Sequence, residues 1–103
     1  MSAQRNPRFL VLDAMDGPHG GQILRLRLQS GEAPTLKSLK GSRLTALGPD
    51  GGRASLQVTG FPVFGGRPSD SRLGRTGRVD VTVESVDAGA SPVGLQWEVA
   101  VEG

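Results

Sequence analysis

The chain contains no cysteine and a single histidine, His19, in 103 residues. These absences exclude structural disulfides, thiolate nucleophiles and cysteine-ligated metals. A zinc site would need several carboxylates around one imidazole, which is an unusual donor set. A serine triad would depend on His19 as its base, and no Gly-x-Ser-x-Gly nucleophile elbow occurs. We therefore expect a non-enzymatic protein without metal or cofactor, in which His19 is an exposed turn residue.

Long apolar runs are also lacking. The longest is Phe9–Leu12, whereas a membrane-spanning helix needs about 20 apolar residues. Residues 1–8 carry charge, but the hydrophobic core of a signal peptide does not follow them. We expect a cytoplasmic protein that makes no membrane contact.

Aromatic residues make up only 4% of the chain, whereas glycine occurs 16 times and proline 7 times. Glycine at this frequency, without a Gly-X-Y period, is typical of an all-β domain with many tight turns. Partial disorder is the alternative, but a hydrophobic content of 36% with strict alternation favours a folded domain. The length is that of one domain. We place it at residues 7–103, after a flexible N-terminus at residues 1–6.

Six short segments have the composition or the alternating pattern of strands. Leu24, Leu26 and Leu28, for example, alternate with arginines. The segment Thr35–Lys40 is typical of a single helical turn or an irregular edge, and Gly48–Gly52 of a hairpin turn. The spacing predicts a small six-stranded barrel or barrel-like sandwich with one long loop. Its strands are predicted at Phe9–Met15, Ile23–Gln29, Arg43–Leu47, Arg53–Thr59, Arg78–Val86 and Gly94–Val101.

The phase of the alternation also predicts the core. In the last strand it places Leu95, Trp97, Val99 and Val101 on one face. Trp97 is the sole tryptophan, and we expect it to be largely buried. The residues predicted most directly for the core are Leu26, Val81, Val83, Trp97 and Val99.

The long loop, Phe61–Arg78, is the one extended segment without a strand or helix pattern. It contains four arginines and one acid, Asp70. Arginine binds phosphates and carboxylates bidentately, and phenylalanine can stack on bases. We predict that the loop lies at one end of the barrel and binds a partner through Arg67, Arg72, Arg75 and Phe64. In the alternative, the loop is solvated, Phe61 and Phe64 close the barrel mouth, and Asp70 pairs with an arginine.

The charge of the chain changes sign along its length. Residues 1–78 hold all twelve Lys and Arg residues and five acids, whereas residues 79–103 hold five acids and no base. Such asymmetry can indicate an anionic partner on one face. The alternative is that the two parts neutralise each other when the sheet closes.

Three segments resemble the β-barrel second domain of translation GTPases such as elongation factor Tu. They are Gly20–Gly31, a glycine-bounded strand; Leu39–Leu44, which runs into a hairpin; and Ala88–Gln96. The sequence departs from that family at Ser42, where aspartate is usual, in the spacing of Ala88–Gln96, and in the loop Phe61–Arg78. The resemblance implies a barrel that contacts RNA or a ribonucleoprotein.

Two functions of different classes therefore remain. The first is a small binding module that contacts RNA or a ribonucleoprotein through the arginine-rich loop. The second is a protein-interaction or scaffolding subunit that docks or oligomerises through the same loop. The salt dependence of the binding affinity distinguishes the two functions, because phosphate contacts weaken steeply with salt and apolar docking does not.

Overall fold

The computed structural model describes residues 7–17, 20–62, 69–86 and 93–102. Residues 1–6, predicted to be flexible, lie outside these ranges, as does His19. The helices are α1 (Leu36–Leu39), between the second and third strands, and α2 (Asp70–Thr76), between the fourth and fifth. The strands are β1 (Arg8–Asp16), β2 (Gln22–Ser30), β3 (Arg43–Leu47), β4 (Arg53–Gly60), β5 (Arg78–Ser85) and β6 (Glu98–Val101).

The strands close into a barrel in the order β1-β2-β5-β4-β3-β6, and every neighbouring pair is antiparallel. The short strand β6 completes the closure. Its Val99 lies opposite Phe9 of β1 on one side and Ala46 of β3 on the other. Closure removes the free sheet edges at which strands of other molecules can pair. The predicted small, all-β, six-stranded barrel is confirmed.

Alternating side chains fill the interior of the barrel. Leu26 of β2 lies opposite Val79 of β5, and Leu24 lies opposite Val81, and all four side chains are buried. Trp97, at 8% exposure, is the most exposed of the five residues predicted most directly for the core. The period-two pattern therefore identified the inward faces of these strands correctly.

The strands β1, β3 and β5 run one way and β2, β4 and β6 the other, so the connections between strands alternate between the two ends of the barrel. We call one the hairpin end, because the β1–β2 and β3–β4 connections lie there. Trp97 packs at this end against the β3–β4 turn. A Cβ atom on Gly48 would lie 2.8 Å from the indole Cε2 atom. Only glycine leaves room for the indole ring at that position.

We call the opposite end the helical end, because α1 and α2 connect strands there. Leu39 of α1 and Leu73 of α2 are each 1% exposed and belong to the core. The Ser69 side chain accepts a hydrogen bond from the Arg72 N–H at 3.1 Å and begins α2. Gly77, with φ of 72°, ends α2 in the left-handed conformation. Each short helix is thus held over the barrel interior by a buried leucine.

The structure corrects two sequence-based expectations and confirms a third. The segment Phe61–Arg78 was expected to lack a helix, but α2 occupies part of it. A helix of this length buries only Leu73, so it shows no apolar repeat of 3.6 residues.

Leu95 was expected to point inward but is 57% exposed. Strand β6 begins only at Glu98, and the positive φ of 69° at Gln96 interrupts the alternation. Of the two alternatives for Thr35–Lys40, a helical turn or an irregular edge, the structure confirms the helical turn as α1.

Candidate anion-binding surface at the helical end

Charged side chains are divided unequally between the two ends. Among the described residues of the hairpin end, four carboxylates (Asp16, Asp50, Glu84 and Glu98) accompany one cation, Arg53. At the helical end, the part of the chain that the structure describes has three carboxylates (Glu32, Asp70 and Glu102) and eight exposed cations, and we call these eight cations the basic surface. The charge change along the sequence therefore becomes a difference between the ends of the barrel. The basic surface consists of Arg8, Arg27, Lys37, Lys40, Arg43, Arg72, Arg75 and Arg78.

One ion pair crosses between the basic and acidic parts of the chain. The Arg25 Nε atom lies 3.3 Å from the Asp80 Oδ1 atom, on the outside of β2 and β5. Asp13 of β1 lies opposite Arg25 on its other side. This is the only ion pair among the described residues, so no cation of the basic surface lies within ion-pair distance of a described carboxylate. The two parts of the chain therefore form an ion pair at Arg25 and Asp80, and no second ion pair between them occurs among the described residues.

Two of the four predicted partner-binding residues, Arg72 and Arg75, lie on α2 and are exposed. They are three positions apart, so they share the outward side of the helix while Leu73 points into the core. The Thr76 hydroxyl donates to the Arg72 carbonyl oxygen at 2.8 Å and accepts from the Arg78 N–H at 3.1 Å. These bonds fix the end of α2 against the start of β5.

The other two predicted residues, Phe64 and Arg67, lie outside the described residues. Phe61 is half-buried and packs against the core, as the alternative interpretation of the loop expects. The remaining described aromatic residues, Phe9 and Trp97, are buried. The described part of the helical end therefore presents cations and no exposed aromatic ring for a base to stack on.

Sequence reasoning missed Arg27 as part of this surface. Arg27 of β2 lies directly opposite Arg78, the first residue of β5, and both are exposed. Lys37 in α1 and Lys40 at its C-terminal end were missed as well. The alternation in β2 shows that Arg27 points outward, but only the pairing of β2 with β5 places it beside Arg78. No local sequence signal carries that register.

Asp70 has a role other than the ion pair that the alternative interpretation proposed. Its Oδ1 atom accepts a hydrogen bond of 2.6 Å from the Leu36 N–H, at the start of α1. Asp70 is also the acid in the first turn of α2, where a carboxylate is favoured by the helix dipole. One side chain thus ties the two helices together at the helical end.

We expect Asp70→Ala to lower the free energy of unfolding by about 1 kcal/mol, because it removes a charged acceptor from two helix starts. Asp70→Asn keeps an acceptor oxygen and should lose less. Ser71→Ala, at the neighbouring exposed position, is the matched control. Urea denaturation measures all three variants, and an Asp70→Ala variant as stable as Ser71→Ala would contradict the role of Asp70.

Metal ligation, membrane crossing and exposed apolar surface can each be examined over the parts of the chain that the structure covers. Within them, no group of three or more His, Asp or Glu side chains is placed to hold a metal ion. Neither of the helices seen there is long and apolar enough to cross a bilayer. The large apolar side chains exposed in the described ranges, Leu47, Val86 and Leu95, all lie toward the hairpin end.

The chain matches no family model, no curated protein and no solved structure. The resemblance to the translation-factor barrel consequently stays a prediction.

Proposed function

We propose that this protein is a small binding module that contacts RNA or a ribonucleoprotein through the basic surface at its helical end. The observation that carries the proposal is the concentration of eight exposed cations at that end, none paired with a described carboxylate. Phosphate groups neutralise such a surface and release the counterions condensed on the nucleic acid. Arginine, which supplies six of the eight cations, adds bidentate hydrogen bonds to phosphate oxygens.

The distribution of apolar side chains favours this function over protein docking through the same end. Leu47, Val86 and Leu95 are 43%, 40% and 57% exposed, respectively, and belong to the hairpin end. Among the residues described at the helical end, no large apolar side chain is exposed to that degree. A stable protein contact draws on apolar burial at its centre. An interface formed by this end is therefore mainly ionic.

The experiment is a binding titration with a labelled RNA hairpin, which offers both a duplex stem and a single-stranded loop. For roughly four phosphate contacts, the affinity should fall about 100-fold between about 50 and about 200 mM salt. Arg53→Gln, which removes the cation of the hairpin end, is the control and should leave the affinity near that of the parent. No measurable binding at low salt, or an affinity that salt leaves unchanged, would contradict the proposal and favour the scaffolding alternative.

A further inference from the structure

The inference concerns Arg27 and Arg78, which face each other across β2 and β5. In an antiparallel pair, directly opposite residues have Cβ atoms about 4.5–5.5 Å apart and point to the same side of the sheet. Both side chains are exposed, so two guanidinium groups emerge next to each other from the outside of the barrel. Like charges placed directly opposite destabilise a sheet. The free protein therefore places two like charges at directly opposite positions of β2 and β5.

The neighbouring cross-strand position shows the opposite arrangement. Two residues along β2 on the same face, Arg25 lies between Asp13 of β1 and Asp80 of β5 and is paired with Asp80 at 3.3 Å. At Arg27 the corresponding neighbours are Leu10 of β1 and Arg78. Of these two outward arginines, one lies next to carboxylates and the other lies next to a second arginine.

The backbone around the arginine pair is held firmly. The Leu28 N–H donates to the Gly77 carbonyl oxygen at 2.6 Å, which continues the β2–β5 pairing beyond Arg27 and Arg78. The Thr76 hydroxyl holds the Arg78 N–H at 3.1 Å. A Cβ atom on Gly77 would approach the Leu28 Cβ atom to 3.3 Å, so the left-handed turn fits closely against β2. The backbone positions from which the two arginine side chains extend are consequently fixed before any ligand arrives.

We infer that Arg27 and Arg78 form a clamp for one phosphate group, with Arg75 three residues from Arg78 as the nearest additional cation along the chain. Each guanidinium fork can donate two parallel hydrogen bonds to the phosphate oxygens, and the bound anion offsets the repulsion between the two cations. The inference rests on the proposed function for the source of the phosphate, an RNA backbone. The shared chemistry is a phosphate oxygen array, which a free pyrophosphate also supplies.

The test uses the full chain with Arg27→Gln, Arg78→Gln and the ion-pair control Arg25→Gln. Without phosphate, the melting temperatures of Arg27→Gln and Arg78→Gln should equal that of the parent or exceed it by up to a few degrees, because the repulsion is removed. Pyrophosphate should raise the melting temperature of the parent and of Arg25→Gln. It should raise that of the two clamp variants much less. An equal rise in the clamp variants, or a clear loss of stability in them without phosphate, would overturn the inference.

A conservative variant separates geometry from charge. Arg78→Lys keeps the charge but loses the planar fork. Pyrophosphate should therefore raise its melting temperature more than that of Arg78→Gln but less than that of the parent. Full recovery by lysine would mean that charge alone acts and that no bidentate clamp exists.

RNA binding by the same variants distinguishes this inference from the proposed function. Arg27→Gln and Arg78→Gln should each weaken binding of the RNA hairpin about 10-fold at low salt, while Arg25→Gln keeps the parental affinity. If the parent binds RNA but the clamp variants bind equally well, the clamp is wrong and the proposed function stands. If pyrophosphate stabilises the parent selectively but RNA does not bind, the proposed function is wrong and the clamp stands.

Discussion

Leu26→Ala should lower the free energy of unfolding by about 2–5 kcal/mol, as is usual for a fully buried leucine. The side chain is 1% exposed and lies between Val11 of β1 and Val79 of β5, both of which are buried. A closed barrel with strands on all sides has little freedom to collapse around the cavity, which keeps the cost high. For a domain of this size, each 1 kcal/mol corresponds to about 4–8 °C in the melting temperature.

The matched control for this variant is Leu95→Ala, because Leu95 is 57% exposed. It removes the same atoms from a position that buries little surface, so its effect should stay within about 0.5 kcal/mol. Thermal unfolding followed by circular dichroism compares the two variants. If Leu26→Ala melts within a degree or two of the parent, the assignment of Leu26 to the core is wrong.

The second large effect concerns binding. Replacing Arg67, Arg72 and Arg75 together by glutamine should weaken RNA binding by about 100-fold or more at low salt, because each lost phosphate contact also removes a counterion-release contribution. The same variant should lose less than about 1 kcal/mol of stability, since exposed arginines contribute little to folding. Arg72 and Arg75 are exposed on α2, and the buried contact of that helix is made by Leu73.

Binding and stability are measured on the same preparations, RNA binding by fluorescence anisotropy and stability by thermal unfolding. The opposite pattern, a large fall in the melting temperature with unchanged RNA affinity, would show that the arginines serve the fold. Arg78, the first residue of β5, stays unchanged in this variant so that the Arg27–Arg78 pair remains intact.

The strands and the core could be predicted because their information is local. In β2 and β5, leucines and valines alternate with polar residues, and one face of each strand is buried as that pattern requires. The turn at Gly48–Gly52 was equally readable, since proline, aspartate and glycine each have a defined place in a tight turn. At Leu95 the alternating pattern predicts burial wrongly. Its spacing continues the alternation of β6, but Gln96, which separates Leu95 from that strand, has a positive φ and is not in strand geometry.

The candidate site could be predicted only in part because its assembly depends on long-range pairing. Arg72 and Arg75 are close in sequence and were recognised as a cluster. Arg27 and Arg78 become neighbours through the register of β2 and β5, which no local pattern carries. The contact from Asp70 to the start of α1 likewise joins two separate connections of the barrel. Helix α2 escaped prediction because a single buried leucine gives no periodicity.

The measurement that most directly tests a phosphate-binding helical end is the salt dependence of RNA affinity, compared between the parent and the Arg67→Gln, Arg72→Gln, Arg75→Gln triple variant. The logarithm of the association constant is plotted against the logarithm of the salt concentration, and the slope of this line is proportional to the number of phosphate contacts. We expect the slope of the triple variant to be shallower by about 2–3, close to one for each arginine removed. Parallel lines for the two proteins would contradict the account, because they would mean that these arginines contact no phosphate.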